Sequence, residues 1–186
     1  MSDTEYEFRA ARPEDAAAIE ALDGSFTTRT VFHVAVTEHG FALREVPVDP
    51  PLRKVFPAEE TGAADAPGAG EDTDSRTFVA LAMDGSLAGF ATVGYAAWNR
   101  RLVVEDIAVA PAHRGRGISR ALIGHAVAFA RERGAVHIWL EVTNVNAPAI
   151  HAYRRLGFTF CGLDTALYDG TRSAGEQALY MSMPCR

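Results

Sequence analysis

Residues 104–119 read Val104-Glu105-Asp106-Ile107-Ala108-Val109-Ala110-Pro111-Ala112-His113-Arg114-Gly115-Arg116-Gly117-Ile118-Ser119. An apolar run carrying two adjacent carboxylates, Glu105 and Asp106, leads into a turn where two arginines alternate with two glycines, and a helix-forming stretch follows. The first turn of a helix has unpaired N–H groups and the positive end of the helix dipole. Glycines let the backbone curl around an anion with several N–H groups facing inward, and Arg114 and Arg116 add positive charge. That combination suits a pyrophosphate. Taken alone, the same tetrapeptide also describes a glycine-bearing surface loop, and the two readings stand level. A Walker loop is excluded because no Gly-Lys-Ser/Thr ending follows. The dinucleotide fingerprint is excluded because Ile118 and Ser119 follow Gly117 and the third glycine is missing. Two adjacent acids on a strand are, by themselves, an ordinary surface feature.

These residues need elements to hold them. Tyr6 to Ala11 reads as a first strand, and Arg12-Pro13-Glu14-Asp15 opens a helix with proline and acids in its first turn. Ile19 and Leu22 mark its apolar side and Gly24 ends it. Ser25 to Thr30 is expected to form a short second helix. Val31 to Val36 and Phe41 to Val48 alternate with a two-residue period around Glu38-His39-Gly40, which predicts a hairpin. Asp49-Pro50-Pro51 should break the pattern. Residues 57–75 are rich in Ala, Gly, Pro and acids, too poor in apolar surface to fold, and are expected to form a flexible loop. The bland role for it is a tolerated insertion; the sharper one is an acidic flap that attracts a cation. Strands are predicted over Thr77–Met83, Leu87–Tyr95, Arg101–Val109, Val136–Val142, Phe158–Leu163 and Gln177–Met183. Helices are predicted over about Gly117–Glu132, with Leu122, Ala126 and Phe129 buried, and over Ala147–Leu156. Helices set into a strand-rich chain give an α/β or α+β domain on one central sheet.

Of the 186 residues, 48% are hydrophobic and 23% charged, the mix of a soluble globular protein. No apolar run approaches the ~20 residues that span a bilayer. Met1 to Phe8 is acidic and polar, so no secretory signal is expected and the cytoplasm is the expected location. The net charge of −6 argues against a nucleic-acid partner. Six acids (Glu59, Glu60, Asp65, Glu71, Asp72, Asp74) and no base lie between Pro57 and Ser75, and the remaining 18 acids match the 18 bases. Lys54 is the only lysine, which reads as a trace of GC-rich coding. Cys161 and Cys185 form no metal-ligand pattern, and two free thiols without a metal are expected.

A second motif removes the ambiguity of the first. Asn144-Val145-Asn146-Ala147-Pro148-Ala149-Ile150-His151-Ala152-Tyr153-Arg154-Arg155-Leu156-Gly157-Phe158 follows the next strand. An arginine-glycine turn, then a strand, then NxxAxxxYxxxGF resembles the GCN5-related N-acetyltransferase (GNAT) superfamily over about residues 76–158. Further segments (Glu20–Thr28, Arg44–Pro51, Trp98–Arg101, Cys161–Gly170 and Glu176–Pro184) are similar to the streptothricin acetyltransferases within it. The resemblance implies one acetyltransferase domain over 1–186, with a mixed sheet, a splayed parallel strand pair and helices on both faces. It also implies acetyl-CoA as donor, a small cationic streptothricin-like amine as acceptor, and room for a homodimer, with no nucleic-acid or membrane partner. A related enzyme acting on polyamines or protein lysines, or a non-catalytic CoA-binding domain, are the alternatives.

Site roles follow from the same resemblance. Backbone groups of Ile107, Ala108 and Val109 would bind the pantetheine arm; Arg114, Gly115, Arg116, Gly117, Ile118 and Ser119 would hold the pyrophosphate; Asn146 would bind pantetheine through its side chain. The superfamily usually has Gly or Ala where Ser119 stands, and serine is still small. An amine of lysine type has a pKa of about 10.4 and must lose a proton before it attacks. Glu105 is the expected base and Asp106 the substrate anchor, brought to one site by a bulge in their strand. Tyr153 matches the superfamily's general acid. Tyr95, Trp98, Glu141 and Tyr168, with Asp23 and Phe26 on a helical lid, are the acceptor-pocket candidates.

Overall fold

The computed structural model describes residues 5–56 and 74–185. Its strands are β1 (Tyr6–Ala10), β2 (Phe26–Thr37), β3 (Gly40–Lys54), β4 (Asp74–Ala82), β5 (Leu87–Ala96), β6 (Arg101–Val109), β7 (His137–Thr143), β8 (Thr159–Asp164) and β9 (Ala178–Pro184). The helices are α1 (Ala16–Glu20), α2 (Ile118–Glu132) and α3 (Ala147–Leu156). Seven strands form one mixed sheet in the order β1-β4-β5-β6-β7-β9-β8, and β2 with β3 forms a separate hairpin. The expected parallel pair is β6 and β7. Among the described residues the chain divides into two compact units, 5–24 with 74–139 and 184–185, and 25–56 with 140–183.

In the first unit, β4 pairs antiparallel with β5 and β5 antiparallel with β6, and α2 covers them. Leu122, Ala126 and Phe129 are the buried side of α2, as its 3.6-residue period predicts, joined by Ile118 and Ile123. The Phe129 ring meets Phe78 edge-on at 6.4 Å, and Arg76 and Arg133 each lie 4.9 Å from its centre. Arg100, held left-handed at φ 52°, donates from Nε (3.0 Å) and a terminal nitrogen (2.7 Å) to the Gly134 carbonyl just beyond α2. At the other edge, Arg9 of β1 grips Asp15 through two hydrogen bonds of 2.7 and 2.9 Å, which ties the Pro13–Asp15 turn to the sheet.

In the second unit the hairpin register runs from Thr37 opposite Gly40 to Phe26 opposite Lys54. Two expectations fail here. Residues 25–30 form no helix: Phe26 and Thr28 are buried and Thr27 and Arg29 exposed, the two-residue period of a strand with β-branched threonines. Nor do the prolines end β3. The register steps from Thr28/Leu52 to Thr30/Pro47, so residues 48–51 bulge outward where no ladder bond is required. Asp74 and Ser75 belong to β4 rather than to the acidic loop, whose remaining residues, 57–73, lie outside those described.

Candidate active site

The strand β6 pairs Asp106 with Thr92 and Val104 with Val93, so Glu105 is the extra residue of a bulge. A bulge interrupts the alternation of faces. Glu105 and Asp106 are accordingly both half-buried, where a regular strand would bury one and expose the other. Burial pushes both carboxyls toward the protonated form. Asp106 is raised to about 6, against the opposing hydrogen bond from the Ile107 amide. Glu105 is raised too, with a 3.5 Å hydrogen bond from the Ser75 hydroxyl pulling the other way.

At the end of β6, Gly89 of β5 lies opposite Val109. A Cβ on Gly89 would meet the Ala108 carbonyl oxygen at 2.8 Å, so only glycine lets the strands approach this closely. After a short 3-10 turn over Pro111–His113, Gly115 and Gly117 take φ of +77° and +83°, left-handed values that other residues adopt at a cost. Gly117 is the N-cap of α2 and has no side chain to cap it, so the first-turn N–H groups are left to an outside acceptor. That is the fit an anionic pyrophosphate requires. Ile118 is buried and anchors the helix start, while Ser119 is half-buried. The arginines are held locally: Arg114 Nε donates to the Val109 carbonyl at 3.0 Å, and Arg116 pairs with Glu5. The Tyr6 hydroxyl sits 3.0 Å from His113 Nδ1, a support for the turn that sequence reading missed.

The first unit also holds Tyr95, half-buried on β5, Trp98, 78% exposed on the turn Ala97–Asn99, and Asp23, exposed between α1 and β2. Neither Asp23 nor Phe26 is on a helical lid. Phe26 starts β2 and is buried, its ring 5.9 Å from that of Phe56.

In the second unit, Asn146 is the N-cap of α3; its Oδ1 accepts from the Ala149 amide at 3.2 Å, which leaves its side-chain NH2 as a donor. Tyr153 is half-buried with its ring 5.8 Å from that of Phe158, beyond Gly157, whose φ of +103° ends the helix. Glu141 on β7 accepts a hydrogen bond from the Tyr168 hydroxyl. Burial raises its pKa and nearby Glu176 raises it further; Tyr168 is held in the phenol form by burial and by Glu141. Glu176 in turn accepts from Lys54 Nζ at 2.6 Å and from the Thr143 hydroxyl at 2.5 Å, and Lys54 also donates to Ser173 at 2.6 Å. The lone lysine thus has a structural task, for which its 12% side-chain exposure is the sign and its rarity was the only signal in the sequence. Cys161 is exposed and Cys185 half-buried. Among the described residues, no cluster of three or more His, Cys, Asp or Glu is placed to hold a metal, and no helix is long and apolar enough to cross a membrane.

The sequence profile of the acetyltransferase (GNAT) family matches residues 43–158, from the hairpin through the bulged strand and turn to the end of α3. The chain belongs to this family. The acetyltransferase is 71% identical over 180 residues to streptothricin acetyltransferase of Streptomyces lavendulae, covering 97% of this chain and 95% of that one. Its fold matches the crystal structure of nourseothricin acetyltransferase at a TM-score of 0.89 with 69% identity, over 98% of this chain and 100% of that one. It also shares its fold (TM-score 0.76, 22% identity, 96% of this chain and 99% of that one) with a Bacillus anthracis protein crystallised in complex with acetyl coenzyme A.

Proposed function

We propose that this acetyltransferase moves an acetyl group from acetyl-CoA to the β-amino group of the β-lysine moiety of streptothricin antibiotics, and so inactivates them. The substrate is supported by the 71% identity to an enzyme named for it. What carries the chemistry is the unbroken run from the bulged acids Glu105 and Asp106 through the glycine turn into α2. Acetyl-CoA supplies an activated thioester when bound. The amides and arginines of residues 114–119 hold its diphosphate, backbone groups of Ile107, Ala108 and Val109 line the pantetheine arm, and the Asn146 NH2 donates to that arm.

The acceptor arrives as an ammonium ion. Glu105 removes one proton, directly or through water, and the neutral nitrogen forms the new C–N bond. Tyr153 gives its hydroxyl proton to the departing sulfur as the C–S bond breaks, and the second proton that the nitrogen loses as the amide forms restores the tyrosine hydroxyl, directly or through water. Asp106 holds the cation in place. Glu141, which accepts the hydrogen bond of the Tyr168 hydroxyl, is with Tyr168 a second holding point. Tyr95 and Trp98 offer aromatic faces to a cationic acceptor. The whole chain acts as one domain in the cytoplasm, alone or as a homodimer, with no nucleic acid or membrane partner.

The test is mass spectrometry of streptothricin incubated with protein and acetyl-CoA. A gain of one acetyl group on the β-amino nitrogen supports the reading. Transfer to polyamines or lysine peptides, with streptothricin untouched, assigns a different acceptor. Acetyl-CoA binding without turnover on any amine makes the chain a binding domain.

A further inference from the structure

The turn between β7 and α3 is fixed by Asn144, a polar residue only 6% exposed. Its backbone N–H donates to the Gln177 carbonyl at 2.9 Å, and its Oδ1 accepts from the Gln177 N–H at 2.8 Å. Its backbone carbonyl accepts from the Phe32 N–H at 2.8 Å, and its Nδ2 donates to the Phe32 carbonyl, also at 2.8 Å. The side-chain amide thus acts as an extra peptide group. It closes one ring of hydrogen bonds with the chain just before β9 and another with the middle of β2. One orientation of the amide satisfies both partners, because Oδ1 must face an N–H and Nδ2 a carbonyl.

Phe32 carries the connection onward. Its ring lies 5.7 Å from His151 and 5.9 Å from Phe160. His151, on α3 two residues before Tyr153, sits with Nε2 2.9 Å from Glu45 Oε1 on β3, and Glu45 is held in turn by the Thr30 hydroxyl at 2.6 Å. The hairpin therefore grips α3 twice, at the turn from which it grows and at His151, two residues before the tyrosine.

We propose that Asn144 is a positioning residue for Tyr153: its amide locks strand β2 and the start of β9 to the turn that sets the placement of α3. The inference rests on the acid role given to Tyr153 above. Nothing in Asn144 touches the reacting atoms, so it acts through geometry alone, and a displacement of about 1 Å can cost about a hundredfold in rate. Alanine at this position would take the side-chain partner from the half-buried Gln177 N–H and from the buried Phe32 carbonyl.

The test is a double-mutant cycle on turnover of streptothricin with acetyl-CoA: wild type, Asn144→Ala, Tyr153→Phe and the double variant, each with its thermal midpoint. We expect Asn144→Ala to lower kcat by about a hundredfold, a larger effect than any rise in KM for acetyl-CoA through Asn146 on the same turn, and the double variant to be no slower than Tyr153→Phe. A residue of merely structural importance would lower stability and multiply its loss onto that of Tyr153→Phe. That result, or a normal kcat for Asn144→Ala beside an impaired Tyr153→Phe, overturns the positioning role and leaves the acid role standing. A normal kcat for Tyr153→Phe removes the acid role, and the positioning role with it. Should Asn144→Ala fail to fold, Asn144→Asp enters the same cycle: it keeps the acceptor for Gln177 and loses the donor to Phe32.

Discussion

Glu105 and Asp106 share a bulge, yet burial acts on them unequally, and that difference can be tested. A base must be ionised, so a carboxyl raised to about 6, as Asp106 is, loses its function as pH falls through that value. Replacing the base itself should cost on the order of 10²–10⁴ in kcat/KM. In Glu105→Gln the deficit should be greatest at low pH and shrink toward the amine's own pKa of about 10.4. If Asp106→Asn, and not Glu105→Gln, removes the acidic limb of the pH–rate profile, the two roles exchange. Asp106 carries a stability cost as well. Its folded pKa is raised above the ordinary carboxyl value of 3.8, so the relative stability of its neutral form is present below that value and lost as pH rises through about 6. Asp106→Asn should therefore stabilise the protein by about 3 kcal/mol at pH 8, with the gain fading between pH 6 and 4. Thermal melts of both proteins across that range measure it, and an equal difference at all pH values would show that the cost is not ionisation.

At the scale of elements, the site depends on how the backbone turns at three glycines. Gly117 and Gly115 were visible in the sequence because an arginine-glycine turn before a helix has a physical purpose. Gly89 was not, because its constraint comes from Ala108, which is distant in sequence. Gly89→Ala should push the end of β6 away and raise KM for acetyl-CoA by about tenfold or more. Gly117→Ala should cost about 1–2 kcal/mol from its left-handed backbone and raise the same KM. Gly85→Ala is the control: its φ is +82° and its Cβ would meet nothing within 4 Å, so it should lower stability and leave KM alone. The same contrast between local and distant causes explains what was legible. The bounds of β6 and α3 fell where the pattern put them, since each is framed by local stop signals, Pro111 after β6 and Gly157 after α3. Residues 25–30 do not read as a strand from the sequence because a six-residue alternation is short and its partner, β3, carries three prolines, of which Pro50 and Pro51 fall in the bulge. The links from Glu141 to Tyr168 and from Asn144 to Phe32 join residues 27 and 112 positions apart, and nothing local announces them.

For the molecule as a whole, the two substrates have opposite charge while the protein carries −6. That field repels CoA and attracts a cationic acceptor, and the arginines of the glycine turn offset it only locally. Of the six acids between 57 and 75, Asp74 is engaged by Arg133 at 2.5 Å on β4. Replacing the other five (Glu59, Glu60, Asp65, Glu71 and Asp72) with their amides takes the formal charge from −6 to −1. At about 10 mM salt the Debye length is about 30 Å, so charges anywhere on a protein of this size act on an approaching ligand. The variant should then show a severalfold higher KM for streptothricin, a lower KM for acetyl-CoA and an unchanged kcat. At 1 M salt, where screening falls to about 3 Å, wild type and variant should converge. Steady-state kinetics over that range distinguish steering from decoration. Opposite shifts for the two substrates that vanish with salt mean that the acids draw in the acceptor; identical KM values at low salt mean that they are an insertion the fold merely tolerates.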